Sequence, residues 1–225
     1  MPQRPHAVIC DVIGTLFPLD PLRAGLAGLG LPPAALEAWW AEALRDSFAL
    51  AATGRFRPLR DMLETALDSL CRQYQVASEA PARRALLDGI AMLPPALDAA
   101  ACLDALLQSG IHAHVLTNAS AALTETMLRH ARLRDSLGLV LSAEEIGLAK
   151  PREEAYRHAA QRTGIVPRRL VLVSAHPWDV HGAKAAGLMA AYVRRGQPFP
   201  PTLLPPDVEA EQLRDVAAVL AGMRG

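Results

Sequence analysis

A doubly wound parallel α/β sheet carrying an inserted all-helical block is the fold class that three observations predict. Short apolar runs alternate with helix-period segments from residue 97 to the C-terminal end. Residues 20–92 carry helical periodicity with no strand signal among them. Polar residues able to do chemistry follow directly after the apolar runs, where the strands of an open parallel sheet present their carboxyl ends to ligands. The expected core therefore spans residues 1–16 and 94–225, and residues 17–93 form an insert after the first strand that closes over the strand ends as a cap.

Taken in order, residues 7–10 are continuously apolar, as a strand covered on both faces would be, and Asp11 sits at its carboxyl end. In the insert, "PPAALEAWWAEALRDSFALAA" begins with prolines suited to a first helical turn, and "RPLRDMLETALDSLCRQYQ" repeats apolar residues three and four apart. Pro94 and Pro95 stop the last insert helix and stiffen the return to the core. The alternation that follows predicts helices at 97–108, 120–130 and 152–163, and strands at 113–116, 139–142, 170–173 and 190–193. A last helix is expected over 208–223, and the Pro-rich "GQPFPPTLLPP" before it reads as a surface connection.

Composition narrows the function classes. With 23 basic and 23 acidic residues the formal net charge is zero, and no basic stripe suggests a nucleic-acid partner. No apolar stretch reaches membrane-spanning length, and the N-terminal segment lacks the long apolar region of a signal peptide, so a cytoplasmic protein without a membrane partner is expected. Cys10, Cys71 and Cys102 are odd in number and lie in apolar surroundings, which predicts buried free thiols. Arginine outnumbers lysine 21 to 2, the bias of a GC-rich bacterial genome. Of the two lysines, Lys184 reads as an exposed helix residue, whereas Lys150 directly precedes Pro151 in the loop after a strand.

Four segments deliver polar groups to one sheet edge: Asp11 with Thr15, Thr117 with Asn118, Lys150, and Ser174 with His176 and Asp179. A carboxylate at a strand end, followed by a tight turn through Gly14 and Thr15, suits a nucleophile facing an anion held by backbone amides. An aspartate that only organises the turn is the alternative. Lys150 can hold Asp11 ionised. Trp178 borders the site because it adjoins Asp179. Arg45 can reach the pocket or lie solvated on its helix, and Trp39, Trp40 and Phe48 can line the pocket or join cap to core. His6, His112, His114, His130, His158 and His181 share no metal-ligand spacing.

"DVIGTLF", "VLTNAS", "GLAKPREEAY" and "LVSAHPWDVHGAKAAGL" stand in the order of the motifs of the haloacid dehalogenase superfamily, which the chain resembles over most of its length. The resemblance is strongest to the type II L-2-haloacid dehalogenase branch, through "WD" after "VSAHP" and through Ile13, where phosphatase branches carry the acid that protonates a leaving alkoxide. It implies a Rossmann-like core, no metal and no cofactor, a small 2-haloacid substrate, and it favours a homodimer. Ala175 replaces a further acid of the magnesium site, and halide leaves carbon without a general acid.

By the same resemblance Asp11 attacks the Cα of a 2-haloalkanoate and the resulting ester is hydrolysed. Thr15 and Ser174 orient Asp11 and Lys150, Tyr156 supports Lys150, and Asp179 with His176 positions the hydrolytic water. The Val12 amide and Thr117 take the substrate carboxylate, and Asn118 faces the halide. Well-known members place an arginine on the first long cap helix, where this chain aligns Trp40. A magnesium-dependent phosphatase, and a small-carboxylate binding protein without turnover, are the alternatives to a dehalogenase.

Overall fold

The computed structural model describes residues 4–223. Among these, six parallel strands form one sheet: β1 (Ala7–Cys10), β2 (His112–Thr117), β3 (Val140–Ser142), β4 (Leu170–Ser174), β5 (Met189–Val193) and β6 (Val208–Ala210). Their spatial order is β3-β2-β1-β4-β5-β6, so the chain runs outward from β1 in one direction and then crosses to the other side. The reversal falls between β1 and β4, and a crevice opens at such a switch point outside the strand ends.

The apolar runs are continuous because the sheet is buried on both faces. Along β1, Val8 and Cys10 join one cluster with Val115, Val171 and Val173, while Ala7 and Ile9 join another with Leu116, Leu170 and Leu172. That alternation is the two-residue period of a strand. Helices α5 (Ala99–Gln108), α6 (Ala121–His130) and α9 (Leu213–Ala221) bury apolar residues in the first cluster. Helices α7 (Glu153–Thr163) and α8 (Pro177–Ala185) bury Tyr156, Ala159, Val180 and Ala183 in the second.

Between β1 and β2 run α1 (Leu22–Gly28), α2 (Ala35–Ala52), α3 (Leu59–Gln73) and α4 (Ala80–Asp88). Their apolar stripes, among them Leu26, Trp39, Leu63, Leu67 and Leu87, belong to the same cluster as Val8 and Cys10. The apolar core of the insert is thus continuous with the core on one side of the sheet. Fully buried Trp39 joins α2 to α3 by donating its indole N–H to the Leu63 carbonyl at 2.7 Å.

Two expectations need correction. Residues 208–223 are not one helix: β6 precedes α9, and the three-residue "VEA" pattern of buried, exposed, buried is too short to reveal its period. Lys184 is not a solvated helix residue, because its ammonium lies 2.8 Å from both Asp207 oxygens, and Asp207 also accepts the Ala190 amide at the same distance. This links α8 to the approach of β6. All three cysteines are buried and free. No helix among the described residues is long and apolar enough to cross a membrane.

Candidate active site

The peptide after β1 turns sharply: the Gly14 amide donates to the Phe17 carbonyl at 2.8 Å, and the amides of Thr15 and Phe17 donate to the Val12 carbonyl. Gly14 has φ +88, and a Cβ there would stand 2.4 Å from Nε2 of His176, so only glycine fits beside this imidazole. Arg195, from the loop after β5, donates from its guanidinium to the carbonyls of Gly14 and Thr15 and pins the turn from outside. Among the described residues no backbone carbonyl accepts the Val12 amide.

Asp11 is buried at the head of this turn, and both of its oxygens are engaged. Oδ2 accepts the Thr15 hydroxyl at 2.7 Å and Oδ1 accepts the Lys150 ammonium at 2.8 Å. Lys150 reaches across from the loop after β3 with its side chain wholly buried. Its other two protons go to the Leu116 carbonyl at 3.0 Å and to Oδ2 of Asp179 at 2.8 Å. One ammonium therefore bridges two carboxylates, and the ion's three donors are all used.

Burial on its own would push Asp11 upward, but the charges of Lys150 and His176 and the bonds from Lys150 and Thr15 outweigh it and hold the carboxyl below its ordinary range. Burial likewise works against the charge on Lys150, and the two carboxylates overcome it, raising the ammonium above its ordinary value. Asp179 is held above the ordinary carboxylate range by burial, which its half share of Lys150 and the Tyr156 bond do not offset. The site at neutral pH is an ionised Asp11 beside a charged lysine.

Tyr156 does not touch Lys150. Its hydroxyl donates to Oδ1 of Asp179 at 2.6 Å, so it reaches the ammonium through that carboxylate. The Ser174 hydroxyl accepts the His176 amide at 3.1 Å, which shapes the loop after β4 and leaves Lys150 without a serine partner. Thr15 serves both loops, since its oxygen also accepts the Ala175 amide at 2.9 Å. Asn118 is locked against the Lys150 backbone, with its Oδ1 accepting the amide at 2.7 Å and its Nδ2 donating to the carbonyl at 3.1 Å.

A small chamber lies between the strand ends and the insert, lined from the core by Asp11, Ile13, Thr117, Asn118, Lys150, His176 and Trp178. Trp40, Leu44 and Leu59 complete it from α2 and α3. His176 donates from Nε2 to the Ile13 carbonyl at 2.9 Å and stacks on Trp40 and Trp178, at centroid separations of 6.1 Å and 5.3 Å. Phe48 meets Trp178 edge-on at 5.1 Å, and the Trp178 ring lies 5.8 Å from the Lys150 ammonium.

The structure brings the expected core residues into one site and leaves Arg45 outside it. Arg45 points to solvent, its side chain 65% exposed and paired with Glu42 and Asp46 of its own helix, one turn or less away. Local pairing at the surface is available to it without burying a guanidinium. Asp179 is fully buried behind Lys150 and does not line the chamber. Leu44, Leu59 and Arg195 had no signal in the sequence, because nothing local distinguishes a pocket leucine from a core leucine.

A magnesium ion of the kind phosphatase branches use does not fit these residues. A hard divalent ion takes about six oxygen ligands, whereas Lys150 already occupies the space between the two carboxylates and Ile13 and Ala175 offer no side-chain oxygen. Among the described residues no group of three or more His, Cys, Asp or Glu side chains is placed to hold a metal.

Comparison with known proteins agrees with this architecture. The family model described as haloacid dehalogenase-like hydrolase matches residues 5–187. An (S)-2-haloacid dehalogenase of Pseudomonas sp. strain YL is 27% identical over 220 residues, covering 96% of this chain and 94% of that protein. A phosphatase of Mycobacterium tuberculosis is 30% identical over 193 residues, covering 84% and 87%. The L-2-haloacid dehalogenase of Xanthobacter autotrophicus, solved with chloropropionic acid covalently bound, superposes with a TM-score of 0.85 at 22% identity, covering 97% of this chain and 99% of that one. With the family model matched over residues 5–187 and the parallel sheet shared with the superposed structure, the chain belongs to the haloacid dehalogenase-like hydrolases.

Proposed function

We propose that this protein is a hydrolytic dehalogenase that converts a short 2-haloalkanoate to the 2-hydroxy acid through an ester on Asp11. The observation that carries the proposal is an ionised Asp11 lining a small chamber in which Ile13, buried and without a proton to give, stands two residues away. Such a carboxylate is equipped for displacement at carbon, where the leaving halide needs no general acid. The names of the Pseudomonas and Xanthobacter proteins support the same chemistry.

In the first step an Asp11 oxygen attacks Cα from the side opposite the halogen, the carbon–halogen bond breaks, and its electron pair leaves as halide. The Val12 amide and the Thr117 hydroxyl receive the substrate carboxylate. In the second step water attacks the ester carbonyl on Asp11, the acyl C–O bond breaks, the 2-hydroxy acid leaves with one of the water's protons on its oxygen, the other proton passes to solvent, and the carboxylate returns, held ionised by Lys150 and Thr15. Asp179 has both oxygens engaged by Tyr156 and Lys150, so we assign the water to His176, whose Nδ1 makes no hydrogen bond among the described residues. The helical insert acts as the cap that excludes bulk water.

A single turnover of chloroacetate in oxygen-18 water should place the label in Asp11 and leave the first glycolate unlabelled, and Asp11→Asn should release no chloride. Label appearing in the first product instead would rule out the ester. The Mycobacterium relative favours a second reading, a magnesium-dependent phosphatase. That reading requires phosphate release from p-nitrophenyl phosphate that EDTA abolishes, and Ile13→Asp would then raise it; the dehalogenase reading expects halide release to persist in EDTA.

A further inference from the structure

Every carbonyl from Val12 to Phe17, in the turn that follows Asp11, has a donor, and the donors are of two kinds. Backbone amides serve Val12, Leu16 and Phe17: Thr15 and Phe17 donate to Val12, Ala96 to Leu16 and Gly14 to Phe17. Side chains from loops far along the chain serve the rest. His176 donates to the Ile13 carbonyl at 2.9 Å, and Arg195 donates to the carbonyls of both Gly14, at 2.8 Å, and Thr15.

The turn needs this outside support because a glycine is forced on it. A Cβ on Gly14 would collide with the His176 ring, and a glycine leaves the backbone around it free to move. Arg195 grips the two carbonyls that follow from this hinge. A guanidinium presents its N–H groups as a rigid planar fork, so it holds two carbonyls in a fixed relation where an ammonium cannot. Thr15 then carries the constraint inward, since its carbonyl is held by Arg195 and its hydroxyl donates to Oδ2 of Asp11 at 2.7 Å.

Arg195 is itself kept in an unfavourable backbone conformation. Its φ is +46, in the left-handed region that residues with a Cβ seldom occupy. Neighbouring strands fix it there: the amides of Arg194 and Arg195 donate to the carbonyls of Ala210 and Glu211 at 2.8 Å and 3.3 Å. Glycine would adopt this conformation without strain, so what arginine adds at this position is its side chain.

We propose that Arg195 is a positioning residue for the nucleophile: its guanidinium stiffens the glycine turn and, through Thr15, holds the Asp11 carboxylate in line with the carbon it attacks. The proposal rests on the dehalogenase reading. Arg195 makes no hydrogen bond to Asp11 and does not line the chamber, so it acts only through the turn.

Arg195→Gly separates positioning from plain support, because it removes the fork while relieving the backbone. Urea unfolding should show stability close to that of the wild type. For chloride release from chloroacetate, kcat should fall by about tenfold or more, since a misplacement of about 1 Å can cost about a hundredfold, while KM stays within about twofold. Arg195→Lys keeps the charge without the fork and should also lose activity, which decides the matter where the glycine variant fails to fold. In a Thr15→Ala background Arg195→Gly should cost little more, because the two residues act on Asp11 in series. Full kcat in either Arg195 variant, or effects of Arg195→Gly and Thr15→Ala that simply multiply, overturns the proposal. Hydrogen exchange gives a readout that needs no substrate: the Gly14, Thr15 and Phe17 amides should exchange faster in Arg195→Gly, while the Asp11 amide, paired with Val173, should not. A wild type that releases no halide sinks the dehalogenase reading, whereas unchanged exchange in the turn sinks the role of Arg195 alone.

Discussion

Lys150 is the residue on which the site balances. Removing one member of a buried ion cluster leaves the rest uncompensated, a loss of about 3–5 kcal/mol. Lys150→Met leaves Asp11 and Asp179 facing each other without a cation, and urea unfolding at pH 7 should show a loss of that order. The pH dependence has a definite sign. The folded-state value of Asp11 lies below its ordinary 3.8, so its ionised form contributes stability above that pH and the contribution disappears as pH falls through the lower folded value. Asp179 acts in the opposite sense: its folded value is raised, and the stability gained from its proton is lost as pH rises from 3.8 through that value. The stability that ionised Asp11 gives wild type over Asp11→Asn, followed by urea titration, should therefore shrink as pH falls from the ordinary 3.8 through the lower folded value.

Helix α8 shows how an element transmits a constraint to the site. A Cβ on Gly182 would lie 2.5 Å from the Tyr156 hydroxyl and 2.8 Å from Cβ of Pro151, so α7 and α8 approach closely only because this position is glycine. Gly182→Ala must displace the hydroxyl that donates to Asp179 at 2.6 Å. Overpacking of this kind costs about 1–3 kcal/mol. The expected result is a lower melting temperature together with a fall in kcat, although the substitution lies outside the chamber. An unchanged kcat would show that the Tyr156 bond does not govern Asp11.

At the scale of the whole molecule, the chamber is a joint product of two parts of the chain. Its free volume is about 10 Å³, about the least that admits one water. The proposed function therefore requires the insert and core to separate for a haloacid to enter, and such closures commonly limit turnover. Leu44 and Leu59 of the insert line the chamber together with Ile13 and Trp178 of the core, and the proposed function expects this seam to set the chain length of the substrate. Leu59→Ala should raise kcat/KM for 2-chlorobutyrate relative to chloroacetate, measured by halide release, while lowering stability by about 2–5 kcal/mol as buried leucine truncations do. A preference unchanged by this substitution would place the limit elsewhere.

Sequence alone determined what depends on local order along the chain. The apolar runs located β1 to β5, because strands buried on both faces must be continuously apolar, and the run at Asp11 with its glycine turn marked the site's first member. Motif order was enough to place the chain near its family. Tertiary structure decided what depends on which side chains meet. It turned Arg45 outward, gave Tyr156 to Asp179 instead of Lys150, hid Asp179 behind the ammonium, and left two indole donors unpaired beside Asp11. The physical reason is that periodicity reports the face a residue lies on, whereas a hydrogen bond depends on ångström-scale distances between segments as far apart in the chain as Asp11 and Lys150, which only packing sets.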